Sequence, residues 1–260
     1  MNTRATRPVA PAALHEALKQ TRRLVVFTGA GMSAESGIPT FRDPVYGLWE
    51  QFNPQDLASV EGWESDRERV WAWYEWRRSV ALNVQPHAGH FALARLPQAL
   101  KALTGHEVVV DIVTQNVDDL HERAGSTNVQ HLHGSLFAPR CDRCNQPGTF
   151  GGQPLAAALP TLAPPTCQQC IGVLRPGVVW FGEELPQDIW QRAQEMMLAA
   201  DTVLVVGTSG LVYPAASLPL MAIERKTWVA EINPNETALS THVNLYWKIS
   251  AAEGLAALSD

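Results

Sequence analysis

The sequence has 260 residues, 46% of them hydrophobic, and a formal net charge of −6. That length carries a full core and sets the expectation of one large α/β domain, alone or with a small insertion. The charge is acidic and spread out, which argues against a basic footprint for nucleic acid or anionic membrane, and no segment is apolar over the ~20 residues that a membrane span needs. Arg4, Arg7, Pro8 and Pro11 interrupt the stretch where a signal peptide would carry its apolar core, so a soluble, cytoplasmic protein is expected.

A polar lead-in is followed by a short predicted helix over residues 12–21. Residues 24–27 form a β-branched and aromatic run of the kind that fills a buried parallel strand. The run stops at Gly29-Ala30-Gly31, with Ala34 completing a Gly-x-Gly-x-x-Ala turn before a plausible helix start. A tight strand-to-helix turn calls for glycine in any case. The strand before it adds a second reading, in which the backbone approaches a pyrophosphate and the helix N-terminus offers free N–H groups. An ordinary dinucleotide fold carries an acidic ribose ligand about 20 residues further on. Here the chain runs instead through Pro39, Thr40, Phe41, Arg42 and Asp43 into a tryptophan-rich segment, so the nucleotide is expected to be held differently, under a Phe41-Arg42 loop.

Residues 44–85 have helical periodicity. Apolar side chains at 70, 71, 73, 74 and 76 cover more than one face, so this helix is expected to touch protein on two sides, with Trp71 and Trp73 in packing. Tyr74 and Arg77, three apart, share a face. A planar guanidinium fork with a phenol hydroxyl makes a receptor for a carboxylate; the plainer alternative is that Tyr74 packs and Arg77 makes a surface ion pair. Pro86, His87 and His90 suit another helix start, carrying Phe91, Leu93, Leu96 and Leu100.

The next buried strand, residues 108–114, ends in Gln115-Asn116-Val117-Asp118. Polar residues bunched at that end of a strand lie where open α/β sheets bind ligands. Helix capping by Asn116 or Asp118 is the alternative, and it accounts for one residue of the group. In Gln130-His131-Leu132-His133-Gly134, the two histidines point the same way along a strand. Cys141/Cys144 and Cys167/Cys170 then form two Cys-x-x-Cys knuckles around a Pro-, Gly- and Ala-rich insertion. This spacing predicts a closed, tetrahedral and therefore structural zinc site.

Residues 174–183 read as a strand returning to the sheet, with an edge onto which an extended peptide can add. A helix over 188–200 and a strand over 202–206 follow, the latter ending in Gly207-Thr208-Ser209-Gly210, which suits ribose and phosphate contacts. A strand over 227–232 ends in Asn233-Pro234-Asn235, and a last one near 244–249 leads to Ser250.

The stretches Gly-Ala-Gly-x-Ser-x-x-Ser-Gly-Ile-Pro-x-Phe-Arg, Gln-Asn-Val-Asp, Leu-His-Gly, the paired knuckles and Val-x-Phe-Gly-Glu, in this order, resemble the sirtuins, the NAD-consuming protein deacylases. The resemblance runs from about residue 24 to 250. It implies a Rossmann-like parallel sheet (residues 1–43, 86–138 and 174–260) and a small zinc-binding and helical domain (44–85 and 139–173), together one unit. NAD is implied as a consumed co-substrate, with one structural zinc held by Cys141, Cys144, Cys167 and Cys170. Acylated lysine peptides or proteins are the implied partners; the oligomeric state is left open, with a monomer favoured. His133 is implied as catalytic base, with Asp118 on the nicotinamide amide and Asn116 and Gln115 on the ribose. The other NAD contacts implied are Gly29, Ala30, Gly31, Ser33, Glu35, Phe41, Arg42, Trp49, Val117, Gly207, Thr208, Ser209, Asn233, Asn235 and Ser250. Val179, Phe181, Gly182 and Glu183 would line the peptide groove. Sirtuins that prefer succinyl or malonyl groups carry a Tyr-x-x-Arg pair in a similar aromatic helix, which would make Tyr74 and Arg77 the acyl receptor. Protein ADP-ribosyl transfer and a non-enzymatic NAD- or peptide-sensing module are the alternatives.

Overall fold

The computed structural model describes residues 8–40, 53–150 and 152–259, with the backbone alone for Pro54 and Gln55. Phe41, Arg42 and Trp49 lie outside the described residues. In chain order the strands are β1 (Arg23–Thr28), β2 (Val109–Thr114), β3 (Val129–His131), β4 (Arg140–Cys141), β5 (Leu174–Arg175), β6 (Thr202–Val206), β7 (Trp228–Ile232) and β8 (Leu245–Trp247). The helices are α1 (Ala12–Gln20), α2 (Gly31–Ala34), α3 (Pro54–Leu57), α4 (Val60–Ser65), α5 (Arg67–Asn83), α6 (Ala88–Thr104), α7 (Leu120–Arg123), α8 (Gln187–Ala199), α9 (Ser217–Glu224) and α10 (Ala251–Ala256).

Six strands form one parallel sheet in the order β3-β2-β1-β6-β7-β8. The aliphatic run of β1 puts it at the centre, because residues buried on both faces need neighbours on both edges and helices on both sides. Its side chains alternate: Leu24 and Val26 pack with α1, α6 and α10, while Val25 and Phe27 pack with α8 and α9. From β1 the chain builds outward through β2 and β3, and from β6 it builds the other way. The ends of β1 and β6 therefore sit side by side at the point where the strand order reverses, the place where such sheets bind ligands.

A second apolar cluster joins α4 and α5 to the cysteine region and to Leu174, Val178 and Trp180. Residues 70–75 of α5 are buried without a break, so this helix packs on more than one side, as its aromatic pattern predicts. Trp71 faces Phe150 at 6.0 Å between ring centroids, and Trp63 faces Trp180 at 5.6 Å.

One expectation changes. Residues 174–183 do not return to the main sheet. β5 pairs antiparallel with β4 in a separate two-stranded ladder, after which only isolated bridges remain, Val178 to Gly134 and Phe181 to Ser59. Pro176 has no N–H to give a ladder. Gly177 lies so close to Ala138 that a Cβ there would stand 1.7 Å from its carbonyl oxygen. The helix after the glycine turn is a single turn, α2, with Glu35 as its C-cap, and Gly37 at φ +95° and Pro39 follow it. Its dipole is correspondingly small.

Candidate active site

The glycines of the β1 turn serve packing as much as ligand approach. Gly29 donates to the Val206 carbonyl at 3.0 Å and Gly31 to the Gly207 carbonyl at 2.8 Å. A Cβ on Gly29 would meet the Thr208 Cβ at 2.8 Å, and one on Gly31 would meet the Gly207 Cα at 2.8 Å. The turns after β1 and β6 thus interlock backbone against backbone. The N–H groups of Gly29 and Gly31 are committed to that contact.

Thr208 is the hub of this region. Its hydroxyl accepts from Gln115 Nε2 at 2.9 Å and its carbonyl from Asn233 Nδ2 at 2.9 Å, which brings the tips of β2, β6 and β7 together. Asn235 donates its N–H to Asn233 Oδ1 at 3.4 Å, and Ser209 sits half-buried in the same turn. Glu35 and Ser250 meet at the start of α10. Glu35 Oε2 accepts from the Ala252 N–H at 2.8 Å, and Ser250 Oγ accepts from the Glu253 N–H at 3.3 Å, so both act as helix caps.

A second polar knot joins α2 to the tip of β2. Asn116 Nδ2 donates to Ser33 Oγ at 3.0 Å, and Ser33 Oγ donates to Asp118 Oδ2 at 2.8 Å. Asp118 Oδ1 accepts from the Leu120 N–H at 3.1 Å, so the capping role and the site role fall on one residue. All three side chains are buried. Burial pushes the Asp118 carboxyl upward, against the bonds from Leu120 and Ser33. Val117 packs against the second apolar cluster, and its carbonyl accepts from Leu136.

The two histidines of the 130–134 stretch differ. His133 Nδ1 lies 3.0 Å from the Gln115 carbonyl oxygen. A carbonyl only accepts, so Nδ1 carries the proton and Nε2 keeps the lone pair. Burial lowers the His133 pKa, partly offset by the Gln115 bond, which keeps the ring neutral. His131 meets an acceptor at each nitrogen, the Asn116 carbonyl at 2.8 Å and Glu122 Oε1 at 2.7 Å. His87 and His90 cap α6 reciprocally, and His87 Nε2 also reaches the Met32 carbonyl at 2.6 Å.

On α5, Tyr74 is buried and its hydroxyl accepts from Trp180 Nε1 at 3.1 Å. Burial raises its pKa to about 12, so it stays a donor at neutral pH. Arg77 lies half-buried over the rings of Trp73 and Tyr74, at 4.8 and 5.4 Å, and hydrogen-bonds the Tyr74 hydroxyl. Burial lowers its pKa, while Tyr74 and the charge of Asp118 act the other way, which ties Arg77 electrostatically to the knot described above. Arg78 turns aside to Glu75 (2.8 Å) and Phe150.

The strip predicted to line a peptide groove is partly committed. Val179 donates its N–H to the His133 carbonyl and Phe181 donates to Ala58, both at 2.9 Å. The Phe181 side chain is exposed, and Gly182 turns at φ +88°. Glu183 takes a bidentate fork from Arg175, at 2.5 and 2.8 Å, and the Trp180 N–H at 2.9 Å. Burial works against its charge, but these bonds hold the carboxyl below its ordinary value. Arg175 itself stacks 3.5 Å over Trp180. The sequence carries no local signal for Arg175, since the Glu183 it holds lies in no shared periodicity.

The sulfur atoms of Cys141, Cys144, Cys167 and Cys170 lie within 4.8 Å of one another. Amides point at them from within each knuckle: Arg143 and Cys144 at 3.4 Å on Cys141 Sγ, Gln169 at 3.3 Å on Cys167 Sγ, and Gly172 at 3.3 Å on Cys170 Sγ. The Cys144 and Arg143 amides donate to the Cys141 sulfur, contacts that favour a thiolate ligand there. A Cβ on Gly172 would stand 2.9 Å from Cys141 Sγ, so the cradle is filled to fit. Four thiols with no open position suit one structural zinc.

Fold and site together define a nucleotide-binding parallel sheet with a four-cysteine module and a helical insertion. The family model described as "Sir2 family" matches residues 29–214. The chain is 50% identical over 239 residues to the "NAD-dependent protein deacylase 2" of Corynebacterium efficiens, covering 91% of each chain. It is 48% identical over 236 residues to the "NAD-dependent protein deacylase" of Mycobacterium tuberculosis, covering 91% of this chain and 96% of the other. Among solved structures, a Sir2 homolog–NAD complex superposes with a TM-score of 0.85 at 42% identity, over 98% of this chain and 95% of that one. A Sir2–p53 peptide–NAD complex does so with a TM-score of 0.78 at 30% identity, over 94% and 95%. The chain belongs to the Sir2 family.

Proposed function

We propose that this chain is an NAD-dependent protein-lysine deacylase that favours acyl chains ending in a carboxylate and releases nicotinamide and O-acyl-ADP-ribose. The observation that carries the reading is the pairing of a neutral His133, its Nε2 lone pair available, with the buried Asn116–Ser33–Asp118 knot at the switch point of the sheet. NAD, when bound, would supply an electrophilic ribose carbon to the acyl oxygen, with nicotinamide as the leaving group. Asp118 would accept from the nicotinamide amide, and Asn116 and Gln115 would hold the ribose. Ser33 fixes Asn116 and Asp118 relative to each other, so neither has to reorganise during the reaction. His133 Nε2 takes the proton relayed by the ribose hydroxyls. Zinc holds its module together and stays out of the chemistry.

The acidic-acyl preference rests on Tyr74 and Arg77. Their side chains meet on one face of α5, the phenol keeps its proton, and the guanidinium feels Asp118. The large and small domains divide as read from the sequence except over residues 174–183, which go with the small domain through their pairing and packing, and substrate lies between the two. A cytoplasmic monomer is the setting we favour. Four free thiols gathered for a metal suit a reducing compartment, and among the described residues no helix is long and apolar enough to cross a membrane.

The test is nicotinamide release measured on one lysine peptide bearing acetyl, malonyl or succinyl groups. Release that depends on the acylated peptide, with malonyl and succinyl at least equal to acetyl, is expected. Release with ADP-ribose transferred to protein overturns the deacylase reading in favour of transfer, and no release overturns it in favour of a sensor.

A further inference from the structure

The assignment of His133 as base leaves His131 unexplained, although it stands only two residues away. His133 lies in the turn that follows β3, not on the same strand face as expected, and His131 is the last residue of β3. Its Nδ1 is 2.8 Å from the Asn116 carbonyl oxygen and its Nε2 is 2.7 Å from Glu122 Oε1. Both partners only accept. A neutral imidazole has one N–H and one lone pair, so it would satisfy one partner and set its lone pair against the other. The imidazolium satisfies both. We propose that His131 works as a doubly protonated strut, a positioning residue that ties the Asn116 carbonyl to Glu122 of α7 and so fixes the loop carrying Asn116 and Asp118.

The surroundings suit a cation. Glu122 from α7 and Asp118 from the loop face it with negative charge. His121 of α7 faces it as a neutral ring, since burial holds that pKa down to about 4. His133, on the same stretch of chain, meets one acceptor and is neutral. Burial opposes the charge on His131, but the bonds to Glu122 and Asn116 outweigh it and raise the pKa above the ordinary value. Glu122 is held ionised by the same bond, against its own desolvation. What the strut secures is the Asn116 backbone, whose side chain begins the chain of bonds through Ser33 to Asp118. Loss of the proton removes one of the two bonds and frees the loop. Turnover is therefore expected to fall as pH rises through the His131 titration, a limb distinct from the acid one set by His133.

The test uses the zinc-loaded protein with histidine labelled with nitrogen-15. At pH 7, His131 should show two protonated nitrogens and His133 a neutral ring with the proton on Nδ1. This arm is independent of the reaction, whereas the activity arm rests on the deacylase reading; absent turnover with a protonated His131 would count against that reading alone. His131→Gln should lower turnover at pH 7 roughly tenfold, one charge-assisted bond's worth, and abolish the alkaline limb while the acid limb remains. Glu122→Gln keeps the ring but removes its counter-charge, and should move both the His131 resonance and the alkaline limb to lower pH. A His131 that is neutral at pH 7, or a His131→Gln protein that keeps the wild-type alkaline limb, overturns the proposal. So does a loss of turnover matched by melting temperature with an unchanged pH profile.

Discussion

The sheet and the α5–zinc region are stabilised by different means. In the sheet, aliphatic layers on both faces of β1 form the interior, and its two buried acids, Asp111 in β2 and Glu231 in β7, are each met by neutral side chains, Asn128 for the first and Thr237 and Ser240 for the second. In the α5–zinc region charge lies inside. Arg78 and Glu75 form a pair with side chains only 7% and 8% exposed, and Arg175 stacks on Trp180 while forking to Glu183. Buried ion pairs add little net stability but are costly to break singly, and the polar insertion around the cysteines offers little core. The sheet is therefore expected to hold by non-directional burial, and the other region by a few directional links, the metal first among them. Arg123 spans the two, giving Nη1 to the Ala81 carbonyl (3.0 Å) and Nη2 to the Val84 carbonyl (2.6 Å) at the end of α5. In the proposed reading this mounts the acyl-reading helix on the element that follows Asp118.

The contrast breaks most sharply at the metal. Structural zinc contributes about 10–16 kcal/mol to folding in small zinc modules, so Cys144→Ser or Cys170→Ser should lose metal and lower the melting temperature. Hydrogen exchange should quicken over α5 and residues 140–175 before β1, β2 and β6 lose protection. A zinc-free variant with unchanged melting and uniform protection would show that the second region stands on its own packing.

His133 probes the other side. His133→Ala should cost a factor of roughly 10²–10⁴ in turnover, with NAD affinity and melting temperature nearly unchanged, because the ring hangs at a strand tip and carries no layer of the core. Burial depresses its pKa, so the base is lost only when pH falls through a value below the ordinary ~6.5. The acid limb of the wild type should lie there; a limb at or above that value would remove His133 from the role.

The smallest effect sharpens the comparison inside the second region. Arg77→Met should remove about 1.5–3 kcal/mol of transition-state stabilisation from desuccinylation and demalonylation and leave deacetylation close to wild type. Equal losses on all acyl peptides would place Arg77 with Arg78 and Arg175, among the residues that hold the region together.

The sequence by itself determined the elements and the chemistry at their ends. The aliphatic runs within residues 24–28, 109–114 and 202–206 had to be buried strands, whatever lay beside them. Two Cys-x-x-Cys knuckles leave a metal as the economical partner, and the bunching of Gln115, Asn116 and Asp118 after a buried strand marks a site, since one helix cap needs only one of them. Tertiary structure decided the rest, because pairing between distant segments leaves no local period. Strand order put the turn at Gly29 and Gly31 against Gly207 and Thr208, which adds close packing to the reasons for the glycines. Pairing with Cys141 and Arg140 took Leu174 and Arg175 away from the sheet, and Pro176 and Gly177 end that ladder. Arg123 and Arg175 gained their partners only through the fold. His131 and His133, two residues apart and alike in sequence, differ because one ring meets two acceptors and the other meets one. The path of the folded chain around each ring settles that difference.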